Sequence, residues 1–452
     1  MQNIYKPFMF LVKQIPGKRF LTCFLFVFLS FAGYCQRYLT DIDSSFFIKD
    51  TVRPVLKRFE NLRITGYMQP QFQVAETDGA PSFEGGNFAQ FSKSRFMLRR
   101  ARLKIDYLLT SNEKFPKALF TFQIDATERG VIVRDMFIRL FETKKNNFSM
   151  TAGFFARPFG FEINLGSSSR ESPERGRMSQ ILMPGERDLG VMFSFEPQQK
   201  KQKLYHLKLD AGFFNGQGAS GTTDFDSHKD FISRFVLKPY TINKKIEIGG
   251  GLSLLLGGWK NGTKYVYESG KNAGGDKIFV VDSSVSNFGR SSPRHYYGAD
   301  IQIKLHHKWG ETECRAEYWF GTQPGTATST ANPGTIPAAN GIPLPTYVRH
   351  YNGAYFYLLQ NIVNTKHQLI IKYDWYDPNE KVNKTEIGKA GTNLTAAEIK
   401  FNTIGIGYAY HFNPQTKLIF YYDLVKNEST QLAGYISDNE DNIFTCRLQF
   451  RF

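Results

Sequence analysis

Five cations fall between Arg95 and Leu108, and three of them, Arg100, Arg102 and Lys104, occupy alternate positions. On a β-strand alternate residues share a face and stand about 6.6–6.8 Å apart. The run is therefore a ladder of donors. Each guanidinium can meet an oxyanion bidentately, so the chemistry is reversible binding and passage of an anion rather than bond making. Asp106 continues the same face, while Met97, Arg99, Ala101, Leu103, Ile105 and Tyr107 occupy the other. If that second face meets lipid, Arg99 belongs near the outer rim, where the cost is about 0–1 kcal/mol, not at the midplane, where it is about 2–4 kcal/mol. The alternative is a hydrated wall whose cations are neutralised by Asp106, Asp125, Asp135 or Glu317.

Other spacings offer catalysis no foothold. Gly216-Gln-Gly218-Ala-Ser-Gly221 matches a dinucleotide fingerprint, but the polar Thr222-Thr223-Asp224 follows where a helix must begin. Asp224, Asp226 and Asp230 lack the twelve-residue frame of a calcium loop. His306 and His307 are adjacent, so on a strand they point apart and cannot chelate together. There is no G-x-S-x-G, H-E-x-x-H or Walker sequence. No enzyme activity, cofactor, metal or nucleic-acid partner is expected.

The elements that must carry the ladder are strands. From residue 61 onward apolar and polar residues alternate: Leu62, Ile64, Gly66, Met68, Pro70, Phe72 and Val74 against Arg63, Thr65, Tyr67, Gln69, Gln71 and Gln73. The pattern recurs around Phe120–Asp125, Ala299–His306 and Glu313–Phe320. Such alternation makes one wet and one apolar face. The chain has 452 residues, 41% hydrophobic and 15% aromatic, with a formal net charge of +16. That many aromatics argue against disorder, and the absence of repeated long apolar runs excludes a polytopic helical membrane protein. Tyr107, Trp259, Trp309, Trp319, Trp375 and Tyr376 sit at segment ends, as an aromatic girdle requires. Connections such as 142–147 and 413–415 are short, whereas 162–187, 216–230, 260–294 and 322–346 are long and rich in Gly, Ser, Thr and Pro. The last strand ends Gln449-Phe450-Arg451-Phe452, with Phe452 as an assembly signal for the outer-membrane machinery. The expected fold is all-β: a transmembrane antiparallel β-barrel over 61–452, with sixteen strands, or eighteen as the alternative, embedded in outer-membrane lipid.

Compartment follows from the first residues. Lys6, Lys13, Lys18 and Arg19 precede the apolar Phe20–Phe31, and Gly33 and Cys35 suit cleavage before Gln36. Residues 1–35 read as a signal peptide and 36–60 as a short periplasmic segment, which places the mature protein in the outer membrane of a Gram-negative bacterium. Cleavage removes four positive charges and no negative one, leaving +12 on the mature chain. It also leaves Cys314 and Cys446 on different strands, with no disulfide framework.

Six segments in order resemble the phosphate-selective porin O and P family. They are Arg99-Arg100-Ala101-Arg102-Leu103; Gly153–Glu162 with Arg157-Pro158-Phe159-Gly160; Pro184-Gly185-Glu-Arg187-Asp188-Leu-Gly190-Val191; Ala211-Gly212-Phe-Phe-Asn215-Gly216; Lys372-Tyr373-Asp374-Trp-Tyr-Asp377-Pro378; and Arg447-Leu448-Gln449-Phe450. The resemblance implies a sixteen-stranded homotrimer whose third external loop, 162–187, folds inward to narrow the pore. It adds Arg157, Arg170, Arg175, Arg177 and Lys372 to Arg100, Arg102 and Lys104 as anion-pathway candidates. That loop carries Arg170, Arg175, Arg177 and Arg187 against Glu162, Glu171, Glu174 and Glu186, so it has no net attraction of its own. The expected function is passive diffusion of small solutes with a preference for anions, phosphate or polyphosphate among them. The competing readings are an interaction scaffold or a barrel enzyme.

Overall fold

The computed structural model describes residues 61–110, 115–221 and 224–452; the expected signal peptide 1–35 and leader 36–60 lie outside the described residues. Nine strands come first: β1 (Leu62–Ala75), β2 (Ser94–Thr110), β3 (Pro116–Thr127), β4 (Gly130–Phe141), β5 (Phe148–Ala156), β6 (Arg187–Phe195), β7 (Leu207–Phe214), β8 (Asp230–Asn243) and β9 (Ile246–Lys260). A loop hairpin, β10 (Val266–Lys271) and β11 (Lys277–Asp282), separates these from β12 (Ser291–His307) and β13 (Gly310–Gly325). A second small hairpin, β14 (Ala338–Ala339) and β15 (Ile342–Pro343), precedes β16 (Thr346–Asn361), β17 (His367–Asp377), β18 (Phe401–His411), β19 (Thr416–Asn427) and β20 (Ile443–Arg451).

Leaving out the two loop hairpins, sixteen strands pair antiparallel with their neighbours. β1 pairs with both β2 and β20, which closes the barrel. Sixteen strands is the number expected. Closure leaves no edge in a medium that offers no hydrogen-bond partners. The rule of burial is inverted relative to a soluble protein. Outward residues such as Met68, Phe120, Met136, Ile138, Ile301, Ile404 and Phe420 are exposed, whereas Gln69, Gln71, Gln73, Thr121 and Thr445 are buried inside. The turns 244–245, 308–309 and 412–415 are short, and the opposite rim carries 157–186, 215–229, 261–290, 326–345 and 378–400. β1 begins and β20 ends at the short-turn rim.

The wall has uneven height. β2 and β12 have 17 residues and β13 and β16 have 16, against 9, 9 and 8 in β5, β6 and β7. Between β3 and β4 the long-loop rim falls to the two residues Glu128-Arg129. Three girdle assignments are corrected. Tyr107 and Trp309 are exposed on the outside, but Trp259, Trp319 and Tyr376 are at most 3% exposed. Trp319 and Tyr376 belong to an apolar cluster around Phe159. Alternation places Trp319 beside Glu313, Arg315 and Glu317 on the inner face.

Phe452 completes closure. Its amide donates to the Gly66 carbonyl at 3.0 Å, and the Gly66 amide returns the bond at 3.1 Å. A Cβ on Gly66 would stand 2.7 Å from the Phe452 ring, so only glycine leaves room for the aromatic end. Deleting Phe452 is expected to reduce the yield of heat-modifiable barrel, because it removes two closing hydrogen bonds and the ring that covers Gly66. A normal yield on semi-denaturing gels would count against that role.

Candidate functional site, a loop-divided lumen

The lumen is organised by the connection from β5 to β6, residues 157–186, called L3 here. Two short helical turns, α1 (Phe161–Asn164) and α2 (Arg177–Leu182), shape it. Carboxylates hold both turns where backbone N–H groups lack partners. Glu317 accepts from the Phe161 and Glu162 amides at 2.9 Å each, and also from Trp319 Nε1 at 2.6 Å and Tyr355 Oη at 2.5 Å. Glu162 accepts from the Gly176 amide at 3.0 Å and Ser179 Oγ at 2.5 Å. L3 then buries Phe159, Ile163, Met178, Leu182 and Met183 against Phe214, Ile232, Leu255, Tyr296, Trp319 and Tyr351 on the β7–β16 wall. Each such side chain contributes about 1.5–3 kcal/mol on burial. The loop is anchored as a small core inside the barrel.

On the opposite wall the anchors are ionic. Glu174 receives Arg99 Nε at 2.9 Å, Arg100 Nη2 at 2.5 Å and Arg447 Nη2 at 3.1 Å. Glu186 receives Arg134 Nη2 at 3.3 Å, Arg175 Nε at 3.5 Å and Arg187 Nη1 at 3.1 Å. Two β-bulges make this possible. Gln69 pairs with Arg100 but Pro70 pairs with Leu98, leaving Arg99 as an extra residue. Gln123 pairs with Asp135 but Ile124 pairs with Val133, leaving Arg134 extra. An extra residue flips the side-chain parity beyond it. Arg99 therefore turns inward to Glu174 instead of facing lipid. Met97, expected outside, is 9% exposed and lies 3.1 Å from Gln71 Nε2.

Two cavities lie along β1–β4, the first of them bounded also by L3 through Gly166, Ser167 and Ser168. The one toward the short-turn rim holds about 570 Å³ and is lined by Arg63, Tyr67, Arg102, Lys104, Asp135, Arg187, Ser167 and Arg451 among others. The one toward the low long-loop rim holds about 240 Å³ and is lined by Arg99, Asp125, Glu128, Arg129 and Arg134 among others. An ion-pair layer stands where they meet: Arg102 Nε to Asp125 at 3.0 Å, and Arg134 Nε to the same carboxylate at 3.9 Å. Arg187 grips Asp135 through two bonds, at 3.0 and 3.1 Å. Arg102 Nη2 and Arg134 Nε make no hydrogen bond within the protein. Taken together, the two linings carry eight Lys or Arg residues against three Asp or Glu.

The expected ladder is thus divided. Arg100 is 4% exposed and serves the Glu174 clamp; Arg102 belongs to the ion-pair layer; Lys104, paired with Asp106 at 2.8 Å, faces the larger cavity. Arg175 helps hold Glu186. Arg177 lies between the rings of Phe401 at 3.7 Å and Phe83 at 4.4 Å. Lys372 is 3% exposed and paired with Asp374 at 3.0 Å. Arg157 and Arg170 are also buried, and the structure brings neither to the two cavities. Arg134, Arg187 and Arg447 were missed as site residues. The signal for Arg134 lay in the sequence: Val131 and Val133 face outward, yet Asp135, two residues on, carries a charge that must face in.

What this wall, closure and inward loop define is a transmembrane β-barrel with the general architecture of outer-membrane porins. Compared with known proteins, the sequence matches no protein-family model and no curated protein. Solved structures match throughout the barrel. The outer-membrane channel DcaP of Acinetobacter baumannii superposes with a TM-score of 0.50 at 11% identity, over 86% of this chain and 97% of that one. OmpT, an outer-membrane protein of Vibrio cholerae solved in a trimer form, gives 0.49 at 10% over 86% and 99%. Salmonella typhi OmpF in complex with daunomycin gives 0.48 at 10% over 86% and 97%. At such identities the likeness to DcaP speaks for fold alone: this chain has the fold of an outer-membrane channel.

Proposed function

We propose that the protein is a passive diffusion channel of a Gram-negative outer membrane, admitting small solutes with a preference for anions and working as a homotrimer. The observation that carries this reading is the excess of cations along the two cavities beside β1–β4, eight against three. A water-filled passage with that imbalance raises the local concentration of anions. Phosphate or polyphosphate is the solute suggested by the resemblance to phosphate-selective porins, with Arg102 and Lys104 as its contacts along the way. Arg102 Nη2, which makes no hydrogen bond within the protein, is the donor left for an oxyanion, while Asp125 keeps binding weak enough for release.

The test is a reversal potential in a salt gradient across a planar bilayer. Wild-type channels should favour chloride over potassium. Replacing Arg63, Lys104 and Arg451 with Gln should lower that preference while leaving L3 seated, since none of the three binds it through an ion pair. Removing one charge about 6 Å from a permeating ion changes its energy by about 0.7 kcal/mol at water-like dielectric, about threefold in local anion concentration. A cation-selective wild type would overturn the reading. The absence of conductance steps would instead favour an interaction scaffold, which the filling of much of the lumen by L3 also suits.

A further inference from the structure

A second cationic feature lies on the other flank of L3, away from the cavities beside β1–β4. Arg170 is 2% exposed, and neither Nε nor Nη1 finds a partner. Among the described residues no carboxylate lies within ion-pair distance of its guanidinium. Lys417 of β19 is 7% exposed, and its Nζ donates only to the Arg170 carbonyl, at 2.9 Å. Among the described residues neither cation has a carboxylate within ion-pair distance, although Glu171 lines the same cavity as Lys417.

Burying an unpaired charge costs far more than burying a paired one. The surrounding acids are committed elsewhere. Glu171, next in sequence to Arg170, is held by both terminal nitrogens of Arg315 at 2.7 and 3.1 Å. Glu174 belongs to the three-arginine clamp, and Glu162 to the Gly176 amide and Ser179. Lys417 nevertheless borders a water-accessible cavity of about 720 Å³ that opens toward the short-turn rim, lined also by Ser169, Lys304 and Arg451 and by the carboxylates of Glu171 and Glu311. An ion can therefore reach Lys417 from that side, whereas Arg170 does not itself line the cavity.

We propose that Arg170 and Lys417 form a binding site for a compact inorganic anion, of chloride or phosphate size, that acts as a fixed counter-ion locking L3 to β19. It is a structural site: neither Arg170 nor Lys417 lines the passage beside β1–β4, although the cavity that reaches Lys417 shares Arg451 with it. The anion supplies the charge that the protein omits, and the Arg170 guanidinium offers its unpartnered N–H groups as donors. The serine run Ser167-Ser168-Ser169 that leads into Arg170 keeps the approach polar.

The test is the thermal unfolding midpoint of the detergent-solubilised barrel, titrated with sodium chloride or sodium phosphate against sodium gluconate at constant ionic strength. The wild type should show a saturable rise of several degrees with chloride or phosphate that gluconate does not give. Arg170→Gln and Lys417→Gln should lose that rise. In gluconate alone Arg170→Gln should be at least as stable as the wild type, because a neutral amide needs no counter-charge. Arg170→Lys, which keeps the charge if the glutamine variant fails to fold, should retain the rise. A wild-type midpoint indifferent to anion identity would overturn the proposal, as would a full anion response in both glutamine variants. Neither result would touch the reversal potential, so this site and the anion preference of the pore stand or fall separately.

Discussion

A channel in which Glu174 is replaced by alanine is expected to lose the seat of its constriction loop. The carboxylate is 2% exposed and answers three arginines, Arg99 and Arg100 from β2 and Arg447 from β20, the last strand of the closing wall. Removing it leaves three guanidiniums in one place with only Gln69, Gln71 and the Pro173 carbonyl to solvate them. Breaking a buried pair from one side costs about 3–5 kcal/mol, and mutual repulsion of the remaining cations adds to that. The expected outcome is a lower unfolding temperature with larger, noisier single-channel conductance as L3 swings away from the wall. Quiet channels of wild-type conductance and stability would show that the clamp does not hold the loop. The same geometry changes what Arg100→Gln together with Arg102→Gln should do. The alternation alone suggests a change in selectivity with folding intact. In the structure Arg100 is an arm of the clamp, so the double variant should also loosen L3.

The second large effect is expected at Gly160, where the chain turns from β5 into α1. Its φ is +65°, a conformation that side chains other than those of glycine and a few polar residues resist. A Cβ there would collide with the Glu317 carboxylate and stand 2.8 Å from Trp319 Cζ2, both held in place by the turn they cap. Gly160→Val combines about 1–2 kcal/mol of backbone strain with about 1–3 kcal/mol of overpacking. It should displace α1 from Glu317, free the Phe161 and Glu162 amides and expose Phe159. Increased protease cleavage within 157–186, with the rest of the barrel still heat-modifiable, is the expected signature. Wild-type protection of that loop would refute it.

Much of this architecture was legible in the residues. Alternation along β1, β12, β13 and β20 marks which side chains face lipid, because a strand offers only two faces and lipid tolerates no charge on its own. The contrast between short and long connections places the rims, and the expected inward loop at 162–187 corresponds to L3, which begins five residues earlier at Arg157. The aromatic residues were harder to place. Trp319 and Trp309 look alike in sequence, yet one packs edge-on against Phe159 at 4.8 Å inside the barrel and the other is exposed outside. Segment ends alone do not say whether a tryptophan meets lipid or a loop folded back into the lumen. Strict alternation also misplaced Arg99 and Met97, because a single bulge between Leu98 and Arg100 reverses the parity.

Taken by itself, the sequence determined the class of structure and the sign of the charge it carries: a closed β wall, apolar outside and polar inside, with a basic run on its second strand. Those properties depend on residue type and on a period of two, which are local. Tertiary structure alone decided what each cation does. Arg100 became an anchor, Arg102 a member of an ion-pair layer, Lys104 a cavity wall residue, and Arg170 a buried charge without a partner. The physical reason is that the field at a cation depends on its nearest opposite charges. Here these come from residues up to several hundred positions away, such as Arg447 on Glu174, brought together only when the last strand closes on the first and L3 folds into the space between.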